Sequence, residues 1–321
     1  MGEPRIKFNQ NETNILSLID QEPELECWFY NNFIHLIVGM NAHWGMFLFG
    51  NHIVRDCPWV DAASVQRSFV QEDIIDFVKD KINQEIYVWM NVESGGIPVY
   101  ETIIRFHDIF LYGYDDEAEE FYAADFFRDG HYTRERISYA RLAAGYAGMS
   151  NYKDNLGICL VWKKKSDSYK NVYTDSAQLI KRGIEDYMAA VYPFSPYKYM
   201  ENTPLQNLRY GADIYPVLLT YCDKLAEGED RLVDYRLFDL LYRHKSVMHD
   251  RLIYLSGRGY EGIIPEIQAA KELVKRSIVL RNMFLKYAAK QDRKIMELIK
   301  VKLIELQEYE ASCYTRILDI L

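Results

Sequence analysis

No stretch of this 321-residue sequence approaches the roughly 18 consecutive apolar residues of a membrane span. Paired cysteines are missing as well. The five that occur (Cys27, Cys57, Cys159, Cys222, Cys313) are odd in number, widely spread and without a Cys-x-x-Cys pair, which speaks against a disulfide framework or a zinc site. Positive charge is in deficit: 38 Lys and Arg stand against 47 Asp and Glu, a net charge of −9 that disfavours a nucleic-acid partner. No Gly-rich phosphate loop occurs, since Ser94-Gly95-Gly96 lacks the lysine and the strand–helix setting, and no serine sits in a Gly-x-Ser-x-Gly elbow. Nucleotide-binding and serine-hydrolase chemistry are thereby set aside. The amino terminus, Met-Gly-Glu-Pro-Arg-Ile, has no apolar segment of a secretory signal and no Ser or Thr where a myristoylation signal needs one, so a cytoplasmic location is expected.

What is present is aromatic. The 26 Tyr and 15 Phe suit long pockets and interfaces, although core packing with a wet tip is their plainest use. The basic runs Lys163-Lys164-Lys165 and Arg243-His244-Lys245 read as solvated faces, with docking of an acidic partner as the alternative.

The texture of the chain changes near residue 170. From about 85 to 165, short β-prone runs alternate with turns, and Glu93 to Pro98 reads as a loop. Beyond 172, apolar residues recur at helical spacing, and the last sixty residues read as two long helices, roughly 264–289 and 292–320, with Pro265 at the start of the first. The expected architecture is an α+β catalytic core over 1–170 and a helical region over 171–321 that covers or extends it.

Three residues occupy settings that suit nucleophilic catalysis. Cys27 opens a helix-like apolar run reaching Val38, where the first residue of a helix would feel unpaired N–H groups and the positive dipole end. His107 and Asp125 lie in successive strand-like runs. With a turn centred on Asp116, each stands nine residues from the centre, directly opposed in a hairpin with Cβ atoms about 5 Å apart. A one-residue slip would send them to opposite faces. Gln21, six residues before Cys27, has an amide suited to joining the Cys27 N–H at an oxyanion. Alone, a cysteine beside Trp28 and Phe29 is a buried, inert thiol; the ordered trio with Gln21 upstream favours catalysis. His35 reads as a satisfied core histidine, and His43 and His52 as flanks of an aromatic stretch. His244 and His249 are five apart, where a helix-borne metal pair prefers four, so no metal ligand is assigned. Asp108 should face the other side of its strand from His107.

The segment from His107 to Glu117, followed by Phe121 to Phe127, resembles the His and Asp motifs of the butirosin acyltransferase-like proteins, relatives of the bacteriocin-leader cysteine peptidases. The spacing of Gln21 and Cys27 resembles their oxyanion glutamine and nucleophile, and the stretch from His244 to Leu255 resembles the helical part of similar proteins in bacterial peptide-biosynthesis clusters. The resemblance implies a papain-like fold and acyl transfer from an acyl or peptidyl carrier-protein thioester to a small-molecule amine. The phosphopantetheine belongs to the carrier, and the chain itself needs no cofactor. It also suggests kinship with the amide synthases of polythioamide assembly. A peptidase or thioesterase would use the same residues with water as acceptor, and a catalytically silent binding module is the alternative of another class.

Overall fold

A computed structural model describes residues 1–22, 24–43, 45–47, 53–100, 106–127, 130–151, 157–164, 177–192 and 207–321. The helices are α1 (Gln10–Leu18), α2 (Leu25–Asn32), α3 (Ile53–Asp56), α4 (Ile74–Asn83), α5 (Tyr139–Gly148), α6 (Ala177–Met188), α7 (Ile214–Glu227), α8 (Arg236–Ser256), α9 (Ile264–Lys290) and α10 (Arg293–Ile320). The strands are β1 (Leu36–Gly39), β2 (Gly45–Phe47), β3 (Val60–Val65), β4 (Ile86–Val92), β5 (His107–Asp115), β6 (Glu120–Phe126), β7 (Tyr132–Ser138), β8 (Ile158–Lys163) and β9 (Leu208–Tyr210). The fold is α+β, and both of its sheets are antiparallel. No helix among the described residues is long and apolar enough to cross a membrane.

The chain forms two compact units, Met1–Glu22 with Asn51–Val172 and Pro23–Gly50 with Tyr173–Leu321. Texture alone groups residues 23–50 with the first 170. They lie instead in the helical unit, where α2 packs against α6 and α8.

The first unit is built on a six-stranded sheet in the order β3-β8-β4-β5-β6-β7. Period-two alternation sends Val88, Met90, Ile109, Leu111, Phe121, Ala123 and Leu160 to one face, where α4 and α5 supply Phe77, Val78 and Leu142. Asp73 caps α4 by accepting the Ile75 N–H at 2.8 Å. The β5–β6 turn is closed by Asp115, whose Oδ1 accepts from the N–H groups of Glu117 and Ala118, both at 3.1 Å, and by Glu119 in the left-handed region at φ 52°.

Within that hairpin, the register changes between Leu111 and Gly113. Gly113 pairs with Tyr122 but Leu111 pairs with Ala123, so β5 carries one extra residue, a β-bulge at Tyr112. Gly113 is fitted to this place because a Cβ there would meet the Tyr122 ring at 2.7 Å.

In the second unit, β2-β1-β9 make a small sheet beside the long helices. Buried residues of α9 (Glu266, Ala270, Leu273, Ser277, Leu280, Phe284, Tyr287) alternate steps of four and three, as do those of α10 (Met296, Ile299, Leu303, Leu306, Glu310, Cys313, Ile317) apart from the additional Tyr314. That is the seven-residue repeat of a coiled-coil seam. Gln291, left-handed at φ 51°, ends α9, and Asp292 starts α10 by accepting the Lys294 N–H at 2.9 Å.

Candidate functional site

His107 opens β5 opposite Val92 of β4, at the end of the sheet's core face. Its Nδ1 lies 2.8 Å from Oδ2 of Asp125 on β6. The two are not directly opposed. Continued one step past its last pair, Phe110 with Ala124, the ladder sets Asp125 across from Ile109, so Asp125 is a diagonal neighbour of His107. The bulge decides this outcome. In the register on the turn side of Tyr112, Asp125 would share a face with Phe110 and Asp108; the extra residue returns it to the face of His107.

Asp125 is fully buried, and its carboxylate is completely engaged. Oδ2 accepts from His107 Nδ1 and from the Tyr100 hydroxyl; Oδ1 accepts from the Gln10 side-chain amide and, at 2.6 Å, from the Phe126 N–H. Four donors replace the water that burial removes. The same network fixes the tautomer of His107. Its Nδ1 proton goes to Asp125, with the Asp108 carbonyl also 3.0 Å away, and Nε2 has no hydrogen-bond partner among the described residues. The imidazole side chain keeps 23% of its surface exposed. Burial depresses its pKa, but the hydrogen bond and charge of Asp125 outweigh that, and the net shift is upward. Burial, with the Asp125 charge next, pushes the Tyr100 phenol well above its ordinary value, so it stays a donor.

Tyr100 and Gln10 are the members that sequence reasoning misses. Asn9, three residues before Glu12, is a helix-start signal that places Gln10 at the head of α1, and Asn9 does cap that helix. Nothing local says that this helix end meets a histidine 97 positions away, where Gln10 also donates to the Asp108 carbonyl at 2.8 Å. Asp108 points to the opposite sheet face and bonds the Asn91 side chain there; its pKa is raised by burial first.

Cys27 belongs to the other unit. It is the third residue of α2 rather than the first, still within the helix's first turn. The helix ends at Asn32, and the β-branched Ile34, Ile37 and Val38 steer the chain into β1, so the helix-like run is half the expected length. Cys27 is 8% exposed, and the Asn31 amide, one turn on, donates to its Sγ at 3.5 Å. Gln21 is exposed in the first unit, its amide on Asp20 Oδ2 at 2.9 Å.

His35, His43, His244 and His249 have structural surroundings. His35 is buried before β1, its pKa pushed to about 4 by burial and then by Arg251, and its Nδ1 finds no hydrogen-bond partner among the described residues, so it is a core histidine but not a satisfied one. His43 pairs with Asp230 at 3.0 Å and His249 with Asp250 at 3.1 Å. His244 is wholly buried and bonded at both ring nitrogens. His52 and Lys165 lie outside the described residues. No model of a known protein family matches the chain, and no curated protein matches it.

Proposed function

We propose that the chain is a cysteine-dependent acyltransferase that makes an amide by moving an acyl or peptidyl group from a carrier-protein thioester to a small-molecule amine. The observation that carries this reading is the His107–Asp125 pair: a part-exposed imidazole with its tautomer fixed by a buried, fully bonded carboxylate, so that Nε2 is the atom left to take a proton. The placement of Cys27 in the first turn of α2 supports it, because the helix dipole there favours a thiolate. A papain-like arrangement is part of the proposal, as is the carrier partner.

In this reading the Cys27 thiolate attacks the thioester carbonyl. The carrier's pantetheine thiolate leaves with the electron pair of the broken C–S bond and takes the proton held on His107 Nε2, which is thereby freed for the second step. The amine then attacks the Cys27 acyl-enzyme, its proton passes to His107 Nε2, and the Cys27 thiolate departs as the amide forms. Gln21 enters as oxyanion donor by exchanging the Asp20 carboxylate for the developing charge. Water in place of the amine would give a peptidase or thioesterase with the same residues.

Intact-protein mass spectrometry after incubation with acyl-pantetheine thioesters tests the reading. An acyl adduct on the wild type that is absent from Cys27→Ala supports it, and an amine screen then separates transfer from hydrolysis. The 8% exposure of Cys27 favours a second reading, a silent binding module; the absence of any adduct and any turnover would select it.

A further inference from the structure

Arg251 of α8 is wholly buried, and no carboxylate among the described residues pairs with it. Its guanidinium instead grips the carboxyl end of α2. Nε donates to the Tyr30 carbonyl and Nη2 to the Phe33 carbonyl, both at 2.7 Å, while Nη1 rests on the Met248 sulfur. Burial lowers its pKa only to about 10, so it remains a cation at neutral pH. A buried cation without an anion is costly, and an apolar side chain would fill the space without that cost. What offsets the cost is the negative end of the α2 dipole, together with the two carbonyls that the guanidinium bonds there.

His244, nearly two turns earlier on α8, holds the next stretch of chain. Burial and the neighbouring Lys245 keep its pKa well below the ordinary value, so the ring is neutral: Nε2 donates to the Ile34 carbonyl at 2.8 Å and Nδ1 accepts from Lys245 Nζ at 2.9 Å. Lys245 in turn pairs with Glu310 of α10. A continuous buried polar chain therefore runs from α10 through α8 to the exit of α2. At the other end of α2, Glu24 supplies no side-chain cap.

We propose that Arg251 is a positioning residue for Cys27: it fixes the tilt and depth of α2 from its carboxyl end and so presents the thiol in the helix's first turn. The inference rests on Cys27 being the nucleophile. A helix of eight residues is only about 12 Å long, so a shift at one end is carried to the other.

The experiment uses the full chain and its Arg251→Gln and Arg251→Lys variants, with urea midpoints to confirm folding. Iodoacetamide labelling of the Cys27 peptide is followed by mass spectrometry against pH, together with the single-turnover rate of acylation by an acyl-pantetheine. The other thiols give little background, because burial pushes Cys57, Cys222 and Cys313 up to about 12 and Cys159 to about 11. A folded Arg251→Gln protein should label and acylate about tenfold more slowly or worse, with its labelling profile moved to higher pH, and Arg251→Lys should recover part of the loss. Unchanged rates and profile in a folded variant, with a reactive wild type, would overturn the positioning role alone. Should Arg251→Gln fail to fold, Arg251→Met takes its place, and unchanged rates and profile in that folded variant are the overturning result. A wild-type Cys27 that neither labels ahead of the other thiols nor acylates would overturn the catalytic reading and this inference together.

Discussion

Tyr100 donates its phenolic proton to Oδ2 of Asp125, the same oxygen that faces Nδ1 of His107. The tyrosine sets the carboxylate's orientation, and the carboxylate sets the imidazole's. Tyr100→Phe keeps the ring that packs on Phe127, at a centroid distance of 5.0 Å, and removes only the donor. Leaving a buried carboxylate short of one hydrogen bond should cost about 1–3 kcal/mol, read as a lower urea midpoint at unchanged slope. Gln10→Glu should cost more, since it sets a second negative charge against Asp125.

The raised pKa of His107 has a thermodynamic consequence with a definite sign. A folded-state value above the unfolded one, near 6.5, means that the folded protein binds the proton more tightly. The stabilisation is fully present below the unfolded pKa and is lost as pH rises through the folded value. In Asp125→Asn the imidazole should titrate at lower pH, seen directly by NMR of its ring protons, and this component of the pH dependence of unfolding should disappear. An unchanged titration in Asp125→Asn would contradict the assignment of Asp125 as the group that holds the proton on His107.

Much of this geometry is legible in the sequence where one physical rule dominates. The long helices fall within a residue or so of their expected ends because the seven-residue repeat from Glu266 to Ile317 leaves no other reading. His107 and Asp125 fall on adjacent strands and one face as expected, but through a different register. The turn spans 116–119 rather than centring on Asp116, and the bulge at Tyr112 restores the shared face. A lone Gly113 is the only local sign of that bulge. The Gln10 contact and the membership of α2 in the helical unit are not legible in the sequence, because both are set by packing between segments far apart along the chain. The length of α2 is hidden for a simpler reason: apolar continuity from Cys27 to Val38 masks a switch from helix to β-branched strand.

Gly211 marks a position where backbone alone forbids a side chain. It is left-handed at φ 52°, and a Cβ there would lie 2.2 Å from the Tyr187 carbonyl oxygen. Gly211→Ala therefore combines conformational strain with a clash against backbone that has no rotamer to give. A loss of about 2 kcal/mol or more is expected, measured as a drop in urea midpoint, whereas Gly228→Ala, also left-handed but with open space around it, should cost only the strain of about 1 kcal/mol.

Lys245 and Glu310 test how the helical unit chooses its register. Lys245 is wholly buried and Glu310 nearly so, and Glu310 occupies a seam position of α10 where Leu303 and Ile317 stand one repeat away on either side. Burial lowers the Lys245 pKa, opposed by the Glu310 charge, while Tyr187 and Tyr215 also point hydroxyls into the pair. Removing one partner strands the other charge, so Glu310→Leu and Lys245→Met should each cost about 3–5 kcal/mol. The double variant exchanges the pair for apolar groups of similar length and should regain most of that loss. A strongly non-additive double-mutant cycle in urea unfolding is the expected result. Additive losses would instead show that each side chain is held by the tyrosines and His244 independently of the other.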